Sequence, residues 1–400
     1  MLLSTLFSIS LALAGTVSAA TVPETDYDFI VVGGGPAGLS VLSGLSRVRR
    51  KTALFDSHHY RNDPTREMHD VIGNDGTPPA DFRAAAREQI SNYDTATFID
   101  RAVTEITPLD TDDNNTTYTS FEVKDANGTT YTSRKVVLAT GLVDVLPDTP
   151  GLREAFGKGV FWCPWCDGYE HRDQPFGILG TLPHIVSSVV EIATLNNDII
   201  AFVNGSYADE YVSTLEASYP DWEAQIAAYN VKIENRTIES IVRIQDGGEV
   251  TNEADDQQLD IFQINFTEGD PVIRNAFLTN FDTAQRSSLP ADLGLKMISG
   301  KIDVTSYSGM RTSLAGVFAV GDANSDRSTN VPHAMFSGKR AAVYGHGMFF
   351  FSVSYNAYCW KEDCANSWLQ LSWLVRRWLL LFLSARCLLV LLSRRLSVLL

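Results

Sequence analysis

Cysteine is scarce in this 400-residue chain, five in all, and basic residues are outnumbered, 32 lysines and arginines against 48 aspartates and glutamates. Five cysteines are too few for a disulfide-stapled scaffold of this length. They do not furnish a zinc site either: Cys-x-x-Cys occurs once, at Cys163 and Cys166, and no second pair or Cys/His cluster stands near it to complete the roughly four ligands zinc takes. The formal net charge of −16 speaks against nucleic acid and anionic membrane surfaces as partners. Long apolar runs are missing near the end of the chain, where Arg376, Arg377, Arg386, Arg394 and Arg395 cut Trp368 to Leu400 into short pieces. None approaches the roughly 18 residues of a membrane helix, and the paired arginines leave no clean amphipathic face, so no integral span is expected. Residues 351–400 are assigned no fold; within them Cys359 and Cys364 can form a late structural bridge, leaving Cys387 over.

What is present is a globular composition, 44% hydrophobic, with length enough for two domains. Leu2 to Gly15 is an apolar run followed by the small residues Val17-Ser18-Ala19, the pattern of a signal peptide over residues 1–19, although its start carries no positive charge. Asn-x-Ser/Thr sequons occur at Asn114, Asn115, Asn127, Asn204, Asn235 and Asn265. Together they predict a glycoprotein of the secretory pathway.

Tyr27-Asp28-Phe29-Ile30-Val31-Val32 is an apolar strand that runs into Gly33-Gly34-Gly35-Pro36-Ala37-Gly38, and Ala37 to Leu45 follows with helical spacing. This order gives the G-x-G-x-x-G pattern its meaning. Gly33 permits the tight turn, Gly35 lets a pyrophosphate approach the backbone, and Gly38 allows close packing of the helix, whose N-terminal amides face the anion. Thr52-Ala53-Leu54-Phe55-Asp56 is a second strand ending in an acid suited to a ribose hydroxyl. Near the other end, Gly316-Val317-Phe318-Ala319-Val320-Gly321-Asp322 reads as a strand and a Gly-Asp turn, with Asp322 placed for a ribityl hydroxyl. Asn330-Val331-Pro332-His333-Ala334 and a helix from Gly338 to Gly345 follow, with backbone amides for an isoalloxazine ring.

The combination of an N-terminal G-x-G-x-x-G, the mid-chain Cys163-Pro164-Trp165-Cys166-Asp167-Gly168 and the late G-V-F-A-V-G-D resembles the low-molecular-weight thioredoxin reductase family. Asp56-Ser57, Arg61-Asn62, Met68-His69, Pro79-Ala80-Asp81-Phe82-Arg83-Ala84 and Lys135-Val136-Val137-Leu138-Ala139-Thr140-Gly141 resemble more closely its fungal branch of gliotoxin-type dithiol oxidases. The resemblance spans residues 26 to 350 and implies FAD as cofactor. It implies cofactor contacts at Gly33, Gly34, Gly35, Pro36, Ala37, Gly38, Asp56, Arg61, Asn62, His69, Val103, Thr140, Gly141, Asp322, Asn330 and Val331. It also implies a homodimer, an acid–base role for Asp167 at the leaving thiolate, Cys166 nearer the flavin and Cys163 meeting the substrate.

The expected fold is α/β with two Rossmann-like domains. The FAD domain, residues 26–147 and 271–350, is split by the cysteine-bearing domain, residues 148–270, after a hinge at Pro147 to Gly151. Asp246 to Asp256 reads as an acidic surface loop, and Glu170 and His171 as solvated loop residues. A dithiol pair three residues apart closes a small disulfide ring, and a helix starting there stabilises the thiolate.

A reductase of this family needs a second dinucleotide loop after the cysteines. The strand Phe176-Gly177-Ile178-Leu179-Gly180 continues instead as Thr181-Leu182-Pro183-His184-Ile185, with Leu182 where a pyrophosphate requires glycine and Ile185 where a helix must pack closely. After the next strand, Asn204-Gly205-Ser206 offers no basic cluster for a 2′-phosphate. Electrons are therefore expected to flow from a small-molecule or peptide dithiol through Cys163–Cys166 to FAD and on to O2, giving hydrogen peroxide, in fungal secondary metabolism. The alternatives are an NADPH-dependent disulfide reductase with a divergent loop, and a secretory flavin-binding protein with structural cysteines.

Overall fold

The computed structural model describes residues 24–109, 120–252, 254, 256–326 and 329–354. Backbone contacts divide the chain into Pro23–His346 and a second unit, Met1–Val22 with Gly347–Leu400. Apart from the end of the last helix, the second unit lies outside the described residues, and with it the stretch expected to be a signal sequence, Cys359, Cys364 and Cys387; Asn114 and Asn115 lie outside them too.

The first sheet of the larger unit forms where the sequence is apolar without alternation. Phe29, Ile30 and Val31 are fully buried, as expected for a parallel strand covered on both faces. The strand order is Ala96–Ile99, Thr52–Phe55, Tyr27–Val32, Thr130–Leu138, Phe121–Asp125, Val103–Pro108. Thr130–Leu138 is the branch point: its first half pairs antiparallel with Phe121–Asp125, and its second half pairs parallel with Val317–Ala319, so the late segment returns to the sheet begun by the N-terminal one. Helix Pro36–Ser46 starts with proline at its first turn, where no amide hydrogen is needed. Gly38 and Gly44 keep it close to its neighbours: a Cβ on Gly38 would collide with the Gly33 carbonyl.

The second sheet is all parallel, in the order Lys232–Glu234, Ile199–Phe202, Phe176–Leu179, Ala276–Thr279, Val160–Phe161. One face packs against helices Ile185–Ile192, Asp209–Ser218 and Trp222–Ala228 through Ile178, Val189, Leu215 and Ile226. The other packs, through Phe202, Phe262 and Phe277, on an antiparallel sheet of Ile238–Gln245, Ile261–Phe266 and Val272–Arg274. Ala276–Thr279 sits between two strands of this sheet, so the return to the first sheet comes after Thr279, later than the boundary at 270 read from the sequence. The two chain crossings run side by side, Leu142–Asp144 pairing antiparallel with Thr283–Gln285. Among the described residues no helix is long and apolar enough to cross a membrane.

Candidate active site

A cleft opens where the strand Tyr27–Val32 ends. Gly33 leaves it with φ +117, a conformation that favours glycine, and a Cβ there would strike the Ala139 carbonyl. At Gly34 a Cβ would strike the Asp56 carboxylate, so glycine is what lets that acid approach the loop. Gly35 has nothing within 4 Å of where a Cβ would stand: it faces open space at the start of the helix. Asp56, 2% exposed, accepts hydrogen bonds from the His58 amide at 2.9 Å, the Tyr60 hydroxyl at 2.6 Å and Arg87 Nη1 at 3.2 Å. Burial, followed by the hydrogen bond to Asp56, raises the Tyr60 phenol above its ordinary range.

Gly33 to Ala37, Asp56, Arg61, Asn62, Val103, Thr140, Gly141, Asp322, Asn330 and Val331 all line this one cleft. Gly38 lies beneath it, as a packing position. His69 does not line it; the ring stands against Glu67, Asp75 and Glu170, with Nδ1 3.6 Å from Glu170 Oε1. Asn330 accepts a hydrogen bond from the His333 amide at 2.9 Å, capping the helix Val331–Ser354, which begins well before the Gly338 expected from the sequence.

Arg61 spans the cleft. Its Nε and Nη2 bind both oxygens of Asp144, at 2.9 and 2.6 Å, its Nη1 binds Asp322 at 2.9 Å, and its guanidinium stacks 4.6 Å from the Trp162 ring. Burial raises the Asp322 carboxyl, and the Arg61 charge opposes it. The hydroxyl of Thr140 and the indole nitrogen of Trp162, both on residues lining the cleft, are buried without a hydrogen-bond partner. Orphaned polar atoms are costly in a closed protein, by about 1–3 kcal/mol each. Together with the glycine opening at Gly35 and the acid at Asp56, they fit a bound dinucleotide.

Trp162 also ties the cleft to the redox pair, because the next residue is Cys163. The strand Val160–Phe161 brings the chain off the second sheet, and helix Pro164–Asp167 begins at once. Cys163 and Cys166 are joined as a disulfide, with Cα atoms 5.2 Å apart. Cys163 is 7% exposed, Cys166 is half-buried, and Trp165 between them is open to solvent. Asp167 is pushed up to about 8, by burial first and by the charge of Glu170 second, with Arg66 pulling the other way.

Three loop readings need correction. Glu170 and His171 are not solvated: they are 4% and 1% exposed, because the turn Tyr169–His171 folds back beneath the cysteine helix. The start of the stretch from Asp246 to Asp256 is not a free surface loop but a receptor for Arg66, which comes from the first sheet's side. Arg66 binds Asp246 at 2.5 Å, Asp260 at 2.9 and 3.0 Å, and Gln258 at 2.5 Å. Asp260 is fully buried; burial opposes its charge, but hydrogen bonds from His171, Arg66 and the Gly247 amide outweigh it and hold the carboxyl below its usual range. Composition marked this stretch as acidic and glycine-rich; its partner in a distant loop left no local signal.

The loop after Phe176–Leu179 was expected to put Leu182 into the space of a pyrophosphate. Instead Leu182 and Ile185 are 0% and 1% exposed, packed inward with Ile178, Val186 and Val189. The Leu182 amide donates to Ser206 Oγ at 2.9 Å. The loop is shut by turning into its own core rather than by projecting a side chain outward. Tyr60, Arg87, Asp144, Trp162 and Arg286 are site residues that no sequence motif marked; only Trp162 was traceable, as the neighbour of Cys163.

Comparison with known proteins agrees with this geometry. Residues 27–338 match the family described as pyridine nucleotide-disulphide oxidoreductase. The chain is 51% identical over 352 residues to a probable thioredoxin reductase of Arthroderma benhamiae, covering 85% of this chain and 86% of that protein. It is 34% identical over 320 residues to the thioredoxin reductase tcpT of Claviceps purpurea, covering 78% and 90%. Among solved structures, HlmI superposes with a TM-score of 0.69 at 29% identity, over 82% of this chain and 94% of that one. With its mixed first sheet, parallel second sheet, dinucleotide cleft and adjacent cysteine pair, the chain belongs to the pyridine nucleotide-disulphide oxidoreductase family, as a thioredoxin-reductase-like, FAD-dependent disulfide oxidoreductase.

Proposed function

We propose that this enzyme oxidises a small-molecule or peptide dithiol to a disulfide. The observation that carries the reading is the loop at Gly180–Ile185, where the Leu182 and Ile185 side chains are spent on the core and the Leu182 amide on Ser206, while Thr181 and His184 stay exposed. A nicotinamide dinucleotide has no cradle there, so reducing equivalents enter from the thiol side. The glycines Gly33 to Gly35, Asp56, Arg61, Thr140, Asp322 and Asn330 would hold FAD. Bound FAD supplies a two-electron acceptor that O2 reoxidises with release of hydrogen peroxide. Cys163 and Cys166 exchange disulfide with the substrate, and Asp167 holds a proton beside them.

By family likeness Cys166 is the cysteine nearer the flavin and Cys163 meets substrate; exposure alone ranks them the other way, since Cys166 is the more accessible. In the single Cys→Ser variants, the one that keeps the flavin-proximal thiolate shows a charge-transfer band, and a band surviving loss of Cys166 reverses the assignment.

The cysteine-bearing sheet forms a domain inserted into the FAD domain, and the protein acts as a homodimer in the secretory pathway, in fungal secondary metabolism. Asn127, Asn204 and Asn235 are exposed and suited to carry glycans, whereas the Asn265 amide donates to Ser240 at 2.9 Å. A second reading, an NADPH-dependent disulfide reductase, is favoured by the names of the relatives. Oxygen uptake decides between them: dithiothreitol should drive O2 consumption with equimolar peroxide, and NADPH should not. Peroxide-free turnover that requires NADPH would establish the reductase.

A further inference from the structure

We infer that Asn204 and Asn235 carry N-linked glycans which together cover the carboxyl edge of the second sheet, beside the loop Gly180–Ile185. The inference rests on the secretory reading proposed above and is independent of the redox chemistry.

The two asparagines are far apart in the sequence and side by side in the fold. Strands Ile199–Phe202 and Lys232–Glu234 are parallel neighbours, so their ends meet at one edge, and Asn204 and Asn235 stand just beyond those ends. The segments interlock: Gly205 N–H donates to Asn235 O at 2.9 Å, Tyr207 N–H to Asn235 Oδ1 at 2.9 Å, and Ile238 N–H to Asn204 Oδ1 at 2.8 Å. Each side-chain amide is thereby oriented by backbone from the other segment. With Oδ1 held as an acceptor, Nδ2 points away from these bonds, and among the described residues it meets no acceptor at either position. Both residues are exposed, and a Cβ built on the neighbouring Gly205 would meet only Thr237 Oγ1, at 3.8 Å, so the surface there is open. Asn204 has φ +47, in the left-handed region that asparagine tolerates better than most residues.

The remaining described sequons lack this arrangement. Asn265 lies in the strand Ile261–Phe266, where its Nδ2 donates to Ser240 Oγ at 2.9 Å and its Oδ1 accepts from Gln263 at 2.7 Å. Asn127 is exposed, but it stands in the turn between Phe121–Asp125 and Thr130–Leu138 of the first sheet.

The tripeptide that offers Asn204 also shuts the second loop. Ser206, whose hydroxyl completes the sequon, is 8% exposed; its Oγ donates to Val203 O at 2.6 Å and accepts from Leu182 N–H at 2.9 Å. Transfer to Asn204 therefore precedes closure of this loop, while the hydroxyl is still accessible. The donor is a lipid-diphosphate-linked oligosaccharide: its sugar–phosphate bond breaks, a C–N bond to Nδ2 forms, Nδ2 loses one proton, and the lipid diphosphate leaves. Oδ1 is untouched, so the folded segments keep their hydrogen bonds. The carboxyl edge of a parallel sheet is where such sheets take ligands. Here hydrated sugars occupy it instead. Lys232–Glu234 is also the outer strand of its sheet, and a glycan at its end hinders pairing with another chain.

The test uses the full chain expressed in a filamentous fungus. Release of glycans by peptide N-glycosidase in heavy-oxygen water converts each occupied asparagine to a labelled aspartate, read by peptide mass spectrometry. Label appears at Asn204 and Asn235 and is absent from Asn265. Tyr207, tied to Asn235 and 44% exposed in the bare protein, reports the cover. Its oxidation by hydroxyl radicals rises several-fold in the double variant Asn204→Asp with Asn235→Asp, which keeps both Oδ1 acceptors, lacks Nδ2 and is shown to be folded by retained FAD. Label missing from Asn204 or Asn235 while Asn127 is occupied would overturn the inference and leave the secretory reading standing, as would full label with Tyr207 oxidation unchanged. No label at any sequon, Asn127 included, is a different result, and sinks the secretory reading itself.

Discussion

Two loops in this protein occupy the same place in their respective sheets and have opposite fates. Gly33–Gly38 and Gly180–Ile185 each follow a buried parallel strand and lead into a helix. At the first, glycine at 35 leaves the backbone facing open space, and glycine at 34 brings Asp56 up to the loop. At the second, Leu182 and Ile185 are drawn into the core and the Leu182 amide is given to Ser206. In the proposed reading, the second loop no longer serves a nucleotide. What decides is whether the loop keeps its backbone for a ligand or uses its side chains for its own stability.

The comparison breaks most visibly at the cysteines that stand between the loops. Cys163→Ser and Cys166→Ser should each reduce dithiol-driven flavin bleaching to background while leaving FAD bound, as read by anaerobic absorbance; persistence of bleaching in both would remove the pair from the pathway.

The loops themselves should respond to substitution in opposite ways. Gly35→Leu projects into open space, so the apo-protein should keep its Tm but fail to retain FAD on gel filtration. Leu182→Gly empties a packed core position, at a cost of about 2–5 kcal/mol, and should lower Tm by several degrees without creating any response to NADPH. A Leu182→Gly variant bleached by NADPH would show that one side chain was the whole barrier.

Arg66 joins the loop side of the first sheet to the second. Arg66→Met takes one cation from the fully buried Asp260, which keeps Arg243, His171 and the Gly247 amide, and should cost about 1.5–3 kcal/mol in denaturant unfolding, more than an exposed ion pair would. Asp260 is held low in the folded state, so its stabilisation is present above about pH 4, the ordinary aspartate value, and is lost as pH falls toward the folded value. Arg66→Met should flatten that acid loss.

The last effect is of opposite sign. Asp167 is protonated in the native state up to about pH 8 but ionises near pH 4 when unfolded, so the wild type loses stability as pH rises between those values. Asp167→Asn should therefore gain Tm relative to wild type as pH rises from 4 to 8. A constant difference across that range would mean that Asp167 is not perturbed.

The glycine loop, Asp56, the cysteine pair and the late Gly-Asp turn were legible in the sequence because each is a short motif whose geometry is set within a few residues. The gathering of the glycine loop, Asp56 and the Gly-Asp turn into one cleft followed from strand order, and the cysteine pair adjoins that cleft through Trp162. The ion pairs that join distant loops were not legible: Arg66 meets Asp246 and Asp260 only because two sheets bring them together, and Asp144 reaches Arg61 from the crossing strand. Burial of Glu170 was hidden for the same reason, since a polar residue in a short turn reads as solvated until another loop closes over it. Leu182 was recognised as incompatible with a phosphate, but the direction of its side chain depends on packing that one sequence does not display.

The most direct test of the account is anaerobic reduction of the bound flavin, followed at its visible absorbance with dithiothreitol in one cuvette and NADPH in another. Bleaching by the dithiol alone, with colour restored by air and peroxide formed, is the predicted result. Rapid bleaching by NADPH would contradict the closed second loop and make the enzyme a reductase.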